Sequence, residues 1–77
     1  MKAKRQPLLT PWFEDYDRPV RSGVYEVAAT KGPLYAYWTV ETGKWGLVSY
    51  SIQGAQGMRD RPSYLQYRRW RGVAANA

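Results

Sequence analysis

Cysteine and histidine are both absent from this sequence. Their absence excludes disulfide bonds and the usual zinc sites, which are the devices that most often stabilise very small domains. It also removes the commonest catalytic base and the thiol nucleophile, so the usual hydrolytic triads cannot be assembled. The sequence therefore predicts a non-enzymatic protein with no cofactor and no metal site, held together by apolar packing.

Long apolar runs are missing as well. No stretch approaches the roughly 18 to 20 apolar residues that a membrane span needs. The basic residues Lys2, Lys4 and Arg5 are not followed by the apolar stretch of a signal peptide. We therefore expect a soluble, cytoplasmic protein without a membrane partner.

Two short segments contain residues that suit ligand binding, but each lacks the rest of its motif. Gly54 and Gly57 are not followed by the Lys-Ser/Thr pair of a phosphate-binding loop. Glu14, Asp15 and Asp17 are the only clustered carboxylates, and they lack the other ligands of a calcium loop. We interpret the first segment as flexible and the second as a solvated loop, with a metal or acid–base site as the alternative for the carboxylates.

Aromatic residues, in contrast, are abundant, since four Trp, seven Tyr and one Phe make up 16% of the 77 residues. A domain of this length hides only about 60% of the surface that its unfolded chain exposes. Aromatic side chains cover about 150–250 Å² each, so a few of them can build a small core. Trp12, Trp38 and Trp45 are the predicted core residues.

Strand patterns occupy the middle of the chain. Residues 24–30, 34–41 and 45–50 are rich in β-branched and aromatic residues and are separated by turn signals at residues 31–33 and at Gly43. In the second strand, even-numbered residues from Leu34 onward face one way and odd-numbered residues the other. The predicted fold is mainly β: one small antiparallel sheet of three to four strands, to which one short helix could be added.

The remaining segments give weaker patterns. We expect residues 51–62 to form an irregular crossover, because their two glycines disfavour a helix. Residues 63–72 favour a strand, although aromatic residues at every third position leave a helix open. The predicted organisation is a flexible basic tail at 1–7, a single domain at 8–73 and a frayed C-terminus at 74–77.

The net charge of +6 is concentrated at the two ends of the chain. Near the C-terminus, arginines alternate with aromatic residues, a combination that can neutralise phosphates and stack on unpaired bases. The alternative is that the aromatic residues belong to the core and the arginines form a solvated edge. The candidate nucleic-acid-binding residues are Arg59, Arg61, Arg68, Arg69, Trp70 and Arg71.

Tyr35 and Tyr37 share the strand face opposite Trp38 in the predicted sheet. If that face is partly open, two neighbouring tyrosines suit a protein interface, because tyrosine is enriched at binding hot spots. Cross-strand packing explains the pair equally well. Tyr35 and Tyr37 are the candidate partner-binding residues.

Several different short motifs are spread over most of the chain: Pro11-Trp12-Phe13, residues 18–26, Tyr37-Trp38 with Trp45-Gly46, and Trp70-Arg71-Gly72. Together they resemble a pattern in small proteins encoded by phages and prophages, a family without an established activity. The resemblance implies a phage-type origin and no mechanism. We therefore expect a non-catalytic accessory protein that binds a host or viral protein. The alternatives are a nucleic-acid-binding module and a structural part of a virion.

Overall fold

The computed structural model describes residues 11–73. The predictions for the tail at 1–7, for its residues Lys2, Lys4 and Arg5, and for the C-terminus at 74–77 lie outside the described residues.

Four strands and one helix make up the regular structure. They are β1 (Gly23–Val27), β2 (Leu34–Thr39), β3 (Lys44–Trp45), α1 (Ile52–Gly57) and β4 (Trp70–Arg71). The strands form one antiparallel sheet in the order β3-β2-β1-β4. The expectation of a small, mainly β domain is confirmed.

Two hairpins form the centre of the sheet, and each turn contains a glycine in the left-handed region. Gly32 (φ +58°) lies between β1 and β2, and Gly43 (φ +66°) lies between β2 and β3. The Gly43 N–H donates to the Thr39 carbonyl at 2.8 Å and closes the second turn. A residue with a side chain is strained at such a φ, so glycine is favoured at both positions. The two turns therefore lie where the glycines of the sequence predicted them.

The third strand is interrupted, which the sequence did not predict. Trp38 is opposite Trp45, whereas Tyr35 is opposite Ser49, so one extra residue lies on the β3 side between these pairs. This arrangement is a β-bulge, and it ends regular pairing after Trp45. The predicted strand at 45–50 is therefore in the right place but is not continuous.

The core lies on one face of the sheet. It consists of Val27, Ala36, Trp38, Trp45 and Trp70, all of them at most 7% exposed. The prediction was right for two of its three tryptophans and wrong for Trp12, which is 37% exposed. Trp70 takes the third place, because β4 pairs with β1 and places Trp70 opposite Val27.

Two short segments extend the sheet at its edges. Phe13 pairs with Trp70 beyond β4, with bonds of 2.7 and 3.2 Å between their backbones. Residues 61–63 pair with β3 on the other side, where the Leu47 N–H donates to the Arg61 carbonyl and the Ser63 N–H donates to the Trp45 carbonyl. Neither edge of the four-stranded sheet is left bare.

Residues 63–69, here called the crossing segment, run from the β3 edge to β4 on the other edge. The prediction of a strand over 63–72 is correct only for Trp70–Arg71. Elsewhere the crossing segment has no regular partner strand, and the Gln66 side chain takes that role. Its carboxamide oxygen accepts from the Trp45 N–H at 2.7 Å, and its nitrogen donates to the Trp45 and Ser63 carbonyls at 3.0 and 2.7 Å.

The helix α1 replaces part of the expected irregular crossover. Ser51 caps its N-terminus by accepting a hydrogen bond from the Gly54 N–H at 2.9 Å. Such a cap contributes about 1 kcal/mol. Ala55 is completely buried under the helix, although it is not part of the tryptophan core.

Candidate binding surfaces

Tyr35 and Tyr37 lie on the sheet face that α1 covers. Ser49 is paired with Tyr35, so the two side chains point to the same side of the sheet. The space where a Gly54 side chain would begin is occupied by the Ser49 side chain, which places α1 on that side. Both tyrosines are half-buried. The expected open face is therefore covered in part, because the residues between 51 and 58 fold back as a helix.

Trp70 is 7% exposed and is enclosed by other groups. The Phe13 ring stacks on it at 4.5 Å between centroids, and the Tyr25 ring meets it edge-on at 5.1 Å. Its indole N–H donates to the Asp17 carbonyl at 2.6 Å. This burial leaves no face for a nucleic-acid base, so the structure supports the core interpretation of Trp70.

The neighbouring arginines are also engaged within the fold. Arg71 donates to the Glu26 carboxylate at 3.0 Å and lies over the Trp12 ring at 4.6 Å. Arg69 faces Glu14 at 3.8 Å across an exposed pair. Such surface pairs contribute little stability, typically less than about 1 kcal/mol.

Arg68 is half-buried on the crossing segment. Its Nε donates to the Leu65 carbonyl at 3.3 Å, and burial lowers the pKa of its guanidinium. Together with the two ion pairs, this means that the three arginines after residue 67 are engaged by other groups of the fold, and they do not form a free cationic strip.

Arg59 and Arg61 differ from these three. Among residues 11–73, no hydrogen bond, ion pair or ring contact involves the side chain of either arginine or of Lys44. Arg59 and Lys44 line the same cleft of about 300 Å³, which lies between the β2–β3 hairpin and the turn after α1. We call it the hairpin cleft. The candidate arginines therefore form two groups, one structural and one free.

Apolar and aromatic side chains are exposed along the crossing segment. Tyr64 is 101% exposed, Tyr67 64% and Leu65 52%. We call these three residues the tyrosine surface. Burial alternates as in a strand from Leu65 to Trp70, but Tyr64 departs from this alternation because it is exposed like its neighbour Leu65.

Arg18 connects the tyrosine surface to the core. Its guanidinium carbon lies 5.1 Å from the centroid of the Trp38 ring and 5.2 Å from that of the Tyr67 ring. Contacts of this kind contribute about 0.5–1 kcal/mol at exposed sites and more when water is excluded. The contact with Arg18 thus restrains the Tyr67 side chain. The indole N–H of Trp38 is buried and has no hydrogen-bond partner among the described residues.

Between residues 11 and 73 no group of three or more carboxylates lies close enough to hold a metal ion, and Glu14 faces Arg69 instead. No helix in that range is long and apolar enough to cross a bilayer.

Comparisons with known proteins gave no match: no family model, no curated protein and no solved structure is similar to this chain. Functional inference therefore depends on the surfaces described above.

Proposed function

We propose that this chain is a non-catalytic binding module and that the tyrosine surface is its contact with a partner protein. The observation that carries the proposal is the exposure of three large side chains, Tyr64, Leu65 and Tyr67, on one short segment. Small monomeric domains rarely leave several large apolar side chains together in water, and such patches are typical of interaction sites.

The segment that presents these side chains is firmly held. At its start, Gln66 and Ser63 bond to the Trp45 backbone, and at its end the Ala28 N–H donates to the Arg69 carbonyl at 2.9 Å. A surface that is already ordered loses little conformational freedom on binding, which favours affinity. The tyrosine surface is therefore a prearranged site rather than a loose loop.

The composition around it also suits a protein interface. Tyrosine and arginine are the residues most often found at hot spots, together with tryptophan. Beside Leu65 and Tyr67 there is a shallow hollow of about 260 Å³, which is bordered on its other side by Asp15 and Ala28. A side chain of the partner could fill this hollow while Tyr64 reaches across to the partner.

A capture experiment with matched variants tests the proposal. Tyr64→Ala should not disturb the fold, because Tyr64 is fully exposed, and Tyr50→Ala is its control, since Tyr50 is 82% exposed before α1. With crosslinking in a lysate of the host, the parent chain and Tyr50→Ala should retain the same partner. Tyr64→Ala should retain at least about tenfold less, as expected for a hot spot. Equal retention by all three chains would contradict the proposal.

The resemblance to phage and prophage proteins supports a host or viral protein as the partner, and a cytoplasmic location within the host cell. Nucleic acid is the second candidate, and the unengaged side chains of Arg59 and Arg61 favour it. Phosphate contacts weaken steeply with salt. Binding of short oligonucleotides that disappears between about 50 and 200 mM salt would support this second candidate, and no binding at the lower concentration would exclude it.

A further inference from the structure

We propose that the hairpin cleft is a second ligand site, which binds the phosphate group of a phosphate ester. One wall consists of Thr39, Thr42 and Lys44 from the β2–β3 hairpin, and the other of Arg59, Asp60 and Pro62 from the turn after α1. Its volume of about 300 Å³ is at the lower end of the range for small-molecule sites.

The two cations of the cleft have no partner within the described part of the chain. The ion pairs there are Arg69–Glu14 and Arg71–Glu26, both remote in the sheet from Lys44. Two unpaired cations that face one hollow repel each other, and an anion between them relieves that repulsion. The electrostatics of the cleft thus favour a negatively charged ligand.

The type of donor points to phosphate. An arginine presents a planar fork that suits two oxygens of one anion, and a lysine adds a point charge that accepts any direction. Thr39 adds a hydroxyl donor, whereas the Thr42 hydroxyl donates to the Thr39 carbonyl at 3.5 Å. This set can serve a tetrahedral group with three or four oxygens, whereas a carboxylate has only two.

Asp60 is the only carboxylate that lines the cleft. It opposes a second negative charge, so it weakens binding of any anion without closing the site. Removing this charge should strengthen anion binding, whereas removing either cation should weaken it.

The two walls are tied to each other. A side chain on Gly46 would come within 2.8 Å of the Met58 carbonyl, so β3 and the turn after α1 are in direct contact at that point. The Arg61 N–H donates to the Met58 carbonyl, and the Leu47 N–H donates to the Arg61 carbonyl. The backbone therefore fixes the two walls of the cleft to each other, and these contacts do not involve the tyrosine surface.

The test is a titration of the full chain labelled with ¹⁵N, at low salt, followed by amide NMR shifts. The probes are inorganic phosphate, adenosine 5′-monophosphate, a short single-stranded oligonucleotide and, as a control of equal ionic strength, acetate. We expect saturable shifts at residues 42–45 and 59–60 with the three phosphate probes and none with acetate. Tighter binding of the mononucleotide would identify a free phosphate ester as the source, and tighter binding of the oligonucleotide a nucleic-acid backbone.

Variants decide whether the cleft is responsible. Lys44→Gln and Arg59→Gln should each weaken phosphate binding about tenfold, the loss of one charge-assisted contact, and Asp60→Asn should strengthen it several-fold. Lys31→Gln is the matched control, because Lys31 is an exposed cation in the turn at the opposite end of β2. The proposal is overturned if acetate acts like phosphate, if no probe produces saturable shifts, or if Lys31→Gln weakens binding as much as Lys44→Gln.

Discussion

Gln66 does with its side chain what a neighbouring strand does with its backbone. Trp45 lies opposite Trp38 in the sheet, and its N–H and carbonyl point away from β2 to the outer edge of β3. The Gln66 carboxamide accepts from this N–H and donates to this carbonyl, which also accepts from the Ser63 N–H. Asparagine has the same combination of an acceptor oxygen and a donor nitrogen, but it is one carbon shorter. This single side chain completes the edge of the core.

Replacing Gln66 with Ala should lower the free energy of unfolding by about 1–3 kcal/mol, because the partly buried Trp45 N–H loses its acceptor, while the Trp45 carbonyl keeps the Ser63 N–H. Gln56→Ala is the control, since Gln56 is exposed on α1, and it should change stability by less than about 0.5 kcal/mol. Urea unfolding followed by tryptophan fluorescence measures both. Equal stability of the two variants would show that water replaces the carboxamide without cost.

Tyr25 gives the fold a dependence on alkaline pH. Burial raises the pKa of its phenol above the ordinary value of 10.0, an effect that Arg21 opposes in part. The folded state therefore prefers the neutral phenol, and this contribution is complete below the unfolded pKa and is lost as the pH rises through the folded pKa. Stability should decline above about pH 10 for this reason.

Tyr25→Phe should show a smaller decline. The variant starts about 1 kcal/mol less stable at pH 7, because the phenol donates to the Arg21 carbonyl at 2.8 Å and that bond is lost. Between pH 9 and 11, however, its free energy of unfolding should fall less than that of the parent. Parallel curves from chemical unfolding at several pH values would refute a role of Tyr25 in this pH range.

The choice of core tryptophans shows where residue-level prediction ends. Trp38 and Trp45 lie in local strand patterns, so their burial follows from nearby sequence. Trp70 is buried in the core in place of the predicted Trp12, because β4 pairs with β1. This pairing joins residues more than forty positions apart in the sequence. No local pattern contains that information.

Helix α1 is the element that the sequence described least well. Its two glycines, Gly54 and Gly57, disfavour a helix, yet they occupy different environments. A side chain at Gly54 would collide with Ser49 and Ser51, so glycine is needed there for α1 to approach the sheet. A side chain at Gly57 would meet nothing within 4 Å, and its φ is outside the left-handed region.

The two positions should respond oppositely to alanine. Gly57→Ala should raise the free energy of unfolding by about 0.5–1 kcal/mol, because alanine restricts the unfolded chain and favours the helix. Gly54→Ala should lower it by more than about 1 kcal/mol, since the serines or the helix must move. Thermal unfolding by circular dichroism distinguishes them, and a gain at both positions would contradict the contact between α1 and Ser49.

The hairpins, in contrast, were predictable because their signals are local. Alternating burial along β2 and the glycines in the two turns lie within a few residues of each other. The crossing segment was not predictable, because its conformation depends on Trp45 and Arg18, which belong to other parts of the chain. The tyrosine surface and the hairpin cleft share this origin, since both form where distant segments meet.

At the scale of the whole molecule, the chain after residue 62 closes the structure. It supplies Gln66 to the β3 edge, Trp70 to the core and β4 to the sheet. A chain that ends at residue 62 should therefore lose its near-ultraviolet circular dichroism and its cooperative unfolding transition. A peptide of residues 63–77 added in trans should restore both in a saturable manner. A cooperative transition in the shortened chain alone would show that the core forms without β4.

The closed edges of the sheet have a consequence for the protein in bulk. An exposed strand offers unpaired N–H and carbonyl groups on which another chain can extend the sheet. Here the outermost segments are short, and they contain Pro62 on one side and Pro11 next to the other, neither of which has an N–H to donate. Within the described residues, both outer segments therefore disfavour extension of the sheet by a second copy of this protein.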